Sequence, residues 1–133
     1  MAGIVTDGGK NRILNQLFGN TNFDSVLYLG IYLNDTQPPS DSTDLSCLIE
    51  PVGNGYNRIS LNRGNWTILD KVASYAKKTF LATGEWGSCY GYFIATSSDN
   101  SGVLIGFENF SNGPYFVENE DEIDVTPNIN LLA

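Results

Sequence analysis

Fifteen Asp and Glu side chains stand against seven Lys and Arg in this 133-residue chain, and histidine is absent altogether. The densest carboxylate group is Glu118-Asn119-Glu120-Asp121-Glu122-Ile123-Asp124. Oxygen ligands at such close spacing suit a hard cation such as calcium, but the segment lacks the Asp and Gly spacing of a calcium loop. It reads instead as a solvated turn entering an edge strand, where charge discourages stray sheet pairing, or as a surface that meets basic residues of a partner. Glu85 and Asp70 are further candidates for acid–base work. That chemistry needs two carboxylates facing across a cleft, and no spacing here places either beside another.

Without imidazole the chain lacks the usual general base, the usual metal ligand and every Ser-His or Cys-His arrangement. Cys47 and Cys89 are too few for a disulfide framework or a closed zinc site, and a single disulfide between them is left open. No catalytic, cofactor-binding or metal-ligating residue is assigned, and the chain is expected not to be an enzyme and to need no cofactor. Trp66, Trp86 and seven tyrosines could stack on sugar rings, which makes a glycan-binding module one functional alternative. Aromatics spread through strands more often pack a core.

The elements that would carry these groups are mostly strands. The stretch Tyr75–Phe107 predicts a strand over Tyr75–Leu81, a tight corner at Gly84-Glu85-Trp86-Gly87, a second strand over Cys89–Ala95, a polar turn over Thr96–Gly102 and a return strand over Val103–Phe107. Ser25–Leu33 is nearly continuous in apolar residues, as expected for a central strand covered on both faces or one lying beside the helix. Tyr56–Leu61 follows the Gly53-Asn54-Gly55 turn, and Trp66–Leu69, Tyr115–Val117, Glu122–Val125 and Asn128–Leu131 supply further short strands. Asn34–Ser46, with Pro38-Pro39 and many Ser, Thr and Asp residues, predicts a long exposed loop able to reach a partner. The single predicted helix is capped by Asp7, places Ile13, Leu14, Leu17 and Phe18 on one face and ends at Gly19. The expectation is an all-β chain: a short N-terminal arm and helix over residues 1–20, then one antiparallel β-sandwich of jelly-roll type over residues 21–133, built from about eight strands.

Hydrophobic residues make up 41% and charged ones 17%, enough for a core and sparse enough in charge to suggest surfaces covered by neighbours. The net charge of −8 argues against a nucleic-acid-binding face. The N-terminus MAGIVTDGGKNRILN lacks the apolar core of a signal peptide, and the longest apolar run, VLYLGIYL, is far short of a membrane span. Synthesis in a cytoplasm and no membrane partner are expected.

Three stretches carry a family likeness: Leu27-Tyr28-Leu29-Gly30-Ile31-Tyr32 after the helix, the corner Gly53-Asn54-Gly55-Tyr56-Asn57-Arg58, and Phe80–Gly106 with its Trp86-Gly87, Gly91-Tyr92-Phe93-Ile94 and Val103-Leu104-Ile105-Gly106. In this order they resemble small virion proteins of tailed bacteriophages, both head-decoration or cement subunits and tail-associated ones. The likeness runs from about Ile13 to Val125, and Pro127-Asn128-Ile129-Asn130-Leu131 departs from the Gly-rich final strand of that family. The resemblance implies a structural virion protein present in many copies or as a homo-oligomer. It binds the major capsid protein lattice, or tail, baseplate or fibre proteins in the alternative, and carries no catalytic residues.

Overall fold

A computed structural model describes residues 4–131. They contain twelve strands and one α-helix: β1 (Ile4–Val5), α1 (Asp7–Phe18), β2 (Val26–Tyr32), β3 (Ile59–Asn62), β4 (Thr67–Leu69), β5 (Val72–Ser74), β6 (Lys78–Leu81), β7 (Gly87–Cys89), β8 (Gly91–Ala95), β9 (Leu104–Asn109), β10 (Tyr115–Val117), β11 (Glu122–Val125) and β12 (Asn128–Asn130). Every strand pairing is antiparallel.

The apolar run of β2 predicts burial on both faces, and β2 lies inside a five-stranded sheet of order β1-β9-β8-β2-β3. Its alternate side chains divide between two clusters. Leu29 and Ile31, with Tyr92 and Ile94 of β8 and Leu61 of β3, face one core; Tyr32, with Phe93 and Ala95 of β8, faces another. A register shift in the β8–β9 ladder between Ile94 and Ala95 lets Leu104 and Phe107 both join the second core while Ile105 turns into the first.

The first core is closed by a bent two-stranded ribbon in which residues 72–89 run antiparallel to residues 115–130. Ala73 lies opposite Ile129, Phe80 opposite Ile123 and Ser88 opposite Phe116, so each interruption adds one residue on the 72–89 side. One extra residue per break bends a ribbon as a bulge does. Backbone bonds bridge the breaks, from Tyr75 N–H to the Pro127 carbonyl at 3.0 Å and from Trp86 N–H to the Val117 carbonyl at 2.9 Å. The ribbon contributes Tyr75, Phe80, Trp86, Val117, Ile123 and Val125 to the core.

Several boundaries move for identifiable reasons. The strand expected over Tyr75–Leu81 begins at Lys78, because residues 75–77 carry the chain across the first break. The run Cys89–Ala95 splits at Tyr90, whose N–H bonds the Tyr32 carbonyl and whose carbonyl accepts from Phe110 N–H, where the chain passes from the ribbon into the sheet. Ile4–Val5, expected as part of an arm, pair with β9 as an edge strand. β4 falls within the expected strand Trp66–Leu69, but β5 and the hairpin joining them escape sequence reading because the two-residue turn is Asp70-Lys71, at φ 51° and 69°, not the usual Asn-Gly. The predicted strands Tyr115–Val117 and Glu122–Val125 appear with those bounds.

The helix spans the expected residues, but Thr6 caps it instead of Asp7: Thr6 Oγ1 accepts the Gly9 N–H at 3.0 Å and donates to the Leu104 carbonyl. Gly9 is the residue α1 buries, pressed so near β9 that an added Cβ would lie 2.2 Å from the Ile105 carbonyl oxygen. Because backbone proximity on the glycine side sets the docking, Leu14, Leu17 and Phe18 remain outside, with Phe18 83% exposed.

The segment Asn34–Ser46 is exposed over most of its length, yet its ends are pinned. The buried Asn34 side chain donates to the Cys47 carbonyl at 2.8 Å and accepts Ile49 N–H at 2.8 Å, and Leu45 and Leu48 cover the second core. The loop is a lid on the sheet's outer face more than a free arm.

Gly9→Ala is expected to cost roughly 1–3 kcal/mol through the enforced backbone shift. Leu17→Ala, on the apolar face that does not dock, should stay within about 0.5 kcal/mol. Urea unfolding midpoints of the two variants check the assignment, and a larger loss for Leu17→Ala would contradict it.

Candidate functional site

The chemistry-bearing residues are dispersed. Asp70 occupies the β4–β5 turn, whereas Glu85 lies in the corner before β7, its carbonyl accepting from Asn54 Nδ2 at 2.9 Å. No hydrogen bond, ion pair or cavity joins them among the described residues. In the acidic segment, Asp121 accepts Glu118 N–H at 2.8 Å and Glu120 N–H bonds the Ala82 carbonyl at 2.8 Å, which makes residues 118–121 a turn tied to the end of β6. Asp124, on β11, accepts from Thr79 Oγ1 at 2.6 Å and sits 3.6 Å from Lys77 Nζ. The Thr79 bond first, and then the Lys77 charge, hold its carboxyl below the ordinary range. Among the described residues no three Cys, Asp or Glu side chains converge as a metal site.

Cys47 is exposed and Cys89 buried, and both are free thiols. Burial pushes the Cys89 thiol up to about 11, which keeps it protonated and inert. Trp86 is 7% exposed; its indole N–H donates to the Asn54 carbonyl at 2.9 Å and its ring meets Tyr56 and Phe80 edge-on. A sugar platform on Trp86 is therefore ruled out, because the ring is part of the core.

One polar cluster is built with care and is structural in character. Arg58, its side chain 3% exposed, lies over the Phe93 ring with 5.0 Å between guanidinium carbon and ring centre. Its Nε and Nη2 donate to the two carboxylate oxygens of Glu50 at 2.9 and 2.8 Å, and Nη1 donates to the carbonyls of Ser97 at 2.8 Å and Asp99 at 2.5 Å. Tyr56 Oη donates to Glu50 at 2.5 Å and accepts the Ile31 N–H, at a point where β3 no longer pairs with β2. Burial, reinforced by the Glu50 charge, pushes the Tyr56 phenol well above its ordinary value, so it stays a donor. Sequence reading quotes Arg58 and Tyr56 as a corner motif but has no means of finding Glu50 or the 97–100 turn, which meet them only through the fold.

The surface feature that stands out is apolar. A cavity of about 190 Å³ lies between α1 and the β4–β5–β12 sheet, lined by Ile13, Leu27, Trp66, Ile105 and Ile129. It adjoins a wider groove of about 750 Å³ through shared walls at Phe23, Leu27, Arg63, Trp66 and Ile129. Trp66 is half-buried against Tyr75, ring centres 5.1 Å apart. Within the groove's lining, Ile68 is 77% exposed on β4, an edge strand, and Leu69 and Leu131 are exposed as well. With Leu14, Leu17, Phe18 and Phe23 they place many large apolar side chains in water on α1 and around this sheet. The sequence groups the helix residues on one face and Trp66–Leu69 in one strand, but does not give their outward direction.

The chain matches no protein-family model, and a search of curated proteins finds no match. Among the described residues no helix is long and apolar enough to cross a membrane.

Arg58→Met should lower stability by about 2–4 kcal/mol, because it strands the Glu50 carboxylate and two turn carbonyls; the figure is discounted from a fully buried pair since Glu50 keeps some exposure. Denaturant unfolding measures it, and a loss under about 1 kcal/mol would show the cluster to be dispensable. In the native protein, one thiol should react with a chromogenic disulfide reagent at mildly alkaline pH and two in denaturant; two reactive native thiols would contradict the burial of Cys89.

Proposed function

We propose that this chain is a structural virion protein of a tailed bacteriophage, a decoration or cement subunit that docks on the lattice of the major capsid protein. The observation that carries the reading is the apolar groove between α1 and the β4–β5–β12 sheet. Single exposed apolar residues are ordinary, but an apolar groove whose lining runs without interruption from Ile13 through Trp66 and Ile129 to the exposed Ile68 marks an interaction site. The sequence likeness to phage virion proteins supports the same conclusion, as does a low charge density with a net charge of −8.

In this reading the five-stranded sheet and the bent ribbon are the two layers of a sandwich. The long pairing of residues 72–89 with 115–130, which continues through the β8–β9 hairpin, is the folded hairpin from which a jelly roll is wound. The layers form a rigid platform. Function is then a matter of mass action: a subunit that binds only the assembled lattice stabilises that state, and copies bridging neighbouring capsomers add avidity. No step of chemistry is required, and the molecule's place is the virion, after synthesis in the host cytoplasm.

Quantitative mass spectrometry of purified particles tests the proposal through copy number. Hundreds of copies per particle, together with earlier heat disruption of particles lacking the protein, are the expected result. A few dozen copies or fewer would place the subunit on the tail, and absence from particles would overturn the virion reading.

A further inference from the structure

We infer that the groove across the β4–β5–β12 face receives a segment of a neighbouring protein chain that presents an aromatic or branched apolar side chain beside a carboxylate; this rests on the lattice-docking reading above. The floor of the groove is a cross-strand row. Ile68 lies opposite Ala73, and Ala73 opposite Ile129, so the three side chains share one face across three strands. The small central residue leaves a trough between two large ones, and Phe23 and Trp66 wall it. At its inner end the trough meets the cavity of about 190 Å³. An apolar cavity of about 150 Å³ is enough to take a benzene ring, so one large apolar side chain fits.

The charge of the occupant follows from Arg63. Its guanidinium carbon lies over the Phe23 ring, 4.7 Å from the ring centre, and forms no ion pair among the described residues. The carboxylate in the cavity lining, Asp24, is already engaged: it accepts from Arg12 at 2.6 and 3.2 Å and from Gln16 at 2.7 Å. A chain with a large excess of acids thus keeps an unmatched cation, backed by an aromatic face, at the mouth of an apolar trough. A carboxylate adjoining the inserted side chain completes it. The trough is open, and its outer end is formed by the exposed Ile68 on the edge strand β4, where an extended segment can lie alongside the sheet edge.

The first test uses 3-phenylpropionate and its amide as minimal probes, titrated into the isotope-labelled protein by NMR. The acid should shift the Trp66 indole and Ala73 resonances and bind about fivefold or more tightly than the amide. Arg63→Gln should erase that preference, and Ala73→Leu, which fills the trough, should abolish both. The second test adds wild-type, Arg63→Gln and Ala73→Leu protein to particles stripped of the subunit. Both variants should lose occupancy by about tenfold or more at matched concentration. Ile68→Ser, at an exposed position, serves if Ala73→Leu does not fold. Failure of the acid to bind, equal affinity for acid and amide, or wild-type occupancy by the variants would overturn the inference while leaving lattice docking intact. Failure of the wild-type protein to occupy particles would overturn both.

Discussion

Two reciprocal aromatic–glycine pairs between β2 and β8 are the constraint on which the rest of the molecule depends. Phe93 lies opposite Gly30 and Tyr32 opposite Gly91. A Cβ on Gly30 would sit 2.3 Å from the Phe93 ring, and one on Gly91 would sit 2.3 Å from Tyr32 Oη. Each ring therefore lies over the backbone of the partner strand, in space that only glycine leaves open. The two central strands are welded on their outer face by rings, and on their inner face by Leu29, Ile31, Tyr92 and Ile94.

From that pair the other contacts radiate. The outer side of Phe93 is where Arg58 stacks, and Arg58 in turn gathers Glu50 and the 97–100 turn. Tyr32 reaches Asn109 through its hydroxyl and meets Phe107 edge-on, fastening β9 to the same layer. Leu45 and Leu48 close over these rings, which is why the 34–46 loop is held at both ends. With both faces of the sheet already covered, α1 makes its closest approach where backbone meets backbone, at Gly9 and Ile105, and is held at its far end by the polar contacts of Arg12 and Gln16 with Asp24. Its apolar stripe has no core left to enter. The exposed hydrophobic surface is thus a consequence of how the sheet is filled.

A molecule organised in this way has a stiff interior and a greasy flank. Apart from the exposed thiol of Cys47, the reactive groups singled out are either buried and neutral, as Cys89 and Tyr56 are, or spread over separate turns, as Asp70 and Glu85 are. The proposed docking role draws on that apolar flank, and in the proposal the guanidinium of Arg63 over Phe23 beside the groove is the group that selects the partner's charge.

Local pattern was enough to read much of this chain. The unbroken apolar run of β2 announced a doubly covered strand, the alternation in Glu122–Val125 announced a strand with one face in water, and the polar stretch 96–102 announced a hairpin turn. Those are short-range properties, set by side-chain period and turn chemistry. What only the tertiary structure decided is which apolar residues face inward. Leu14, Leu17 and Phe18 have the spacing of a core stripe, yet Gly9 takes the contact, because the steric reach of a helix is set by its smallest face and by whatever stands opposite. Glu50, Arg58 and the 97–100 turn are likewise distant in sequence, and Trp66, Phe23 and Ile129 become one groove only after three separate strand pairings and a helix bring them together. Hydrophobicity along a chain states how much surface must be hidden; the packing of strands determines where there is room to hide it.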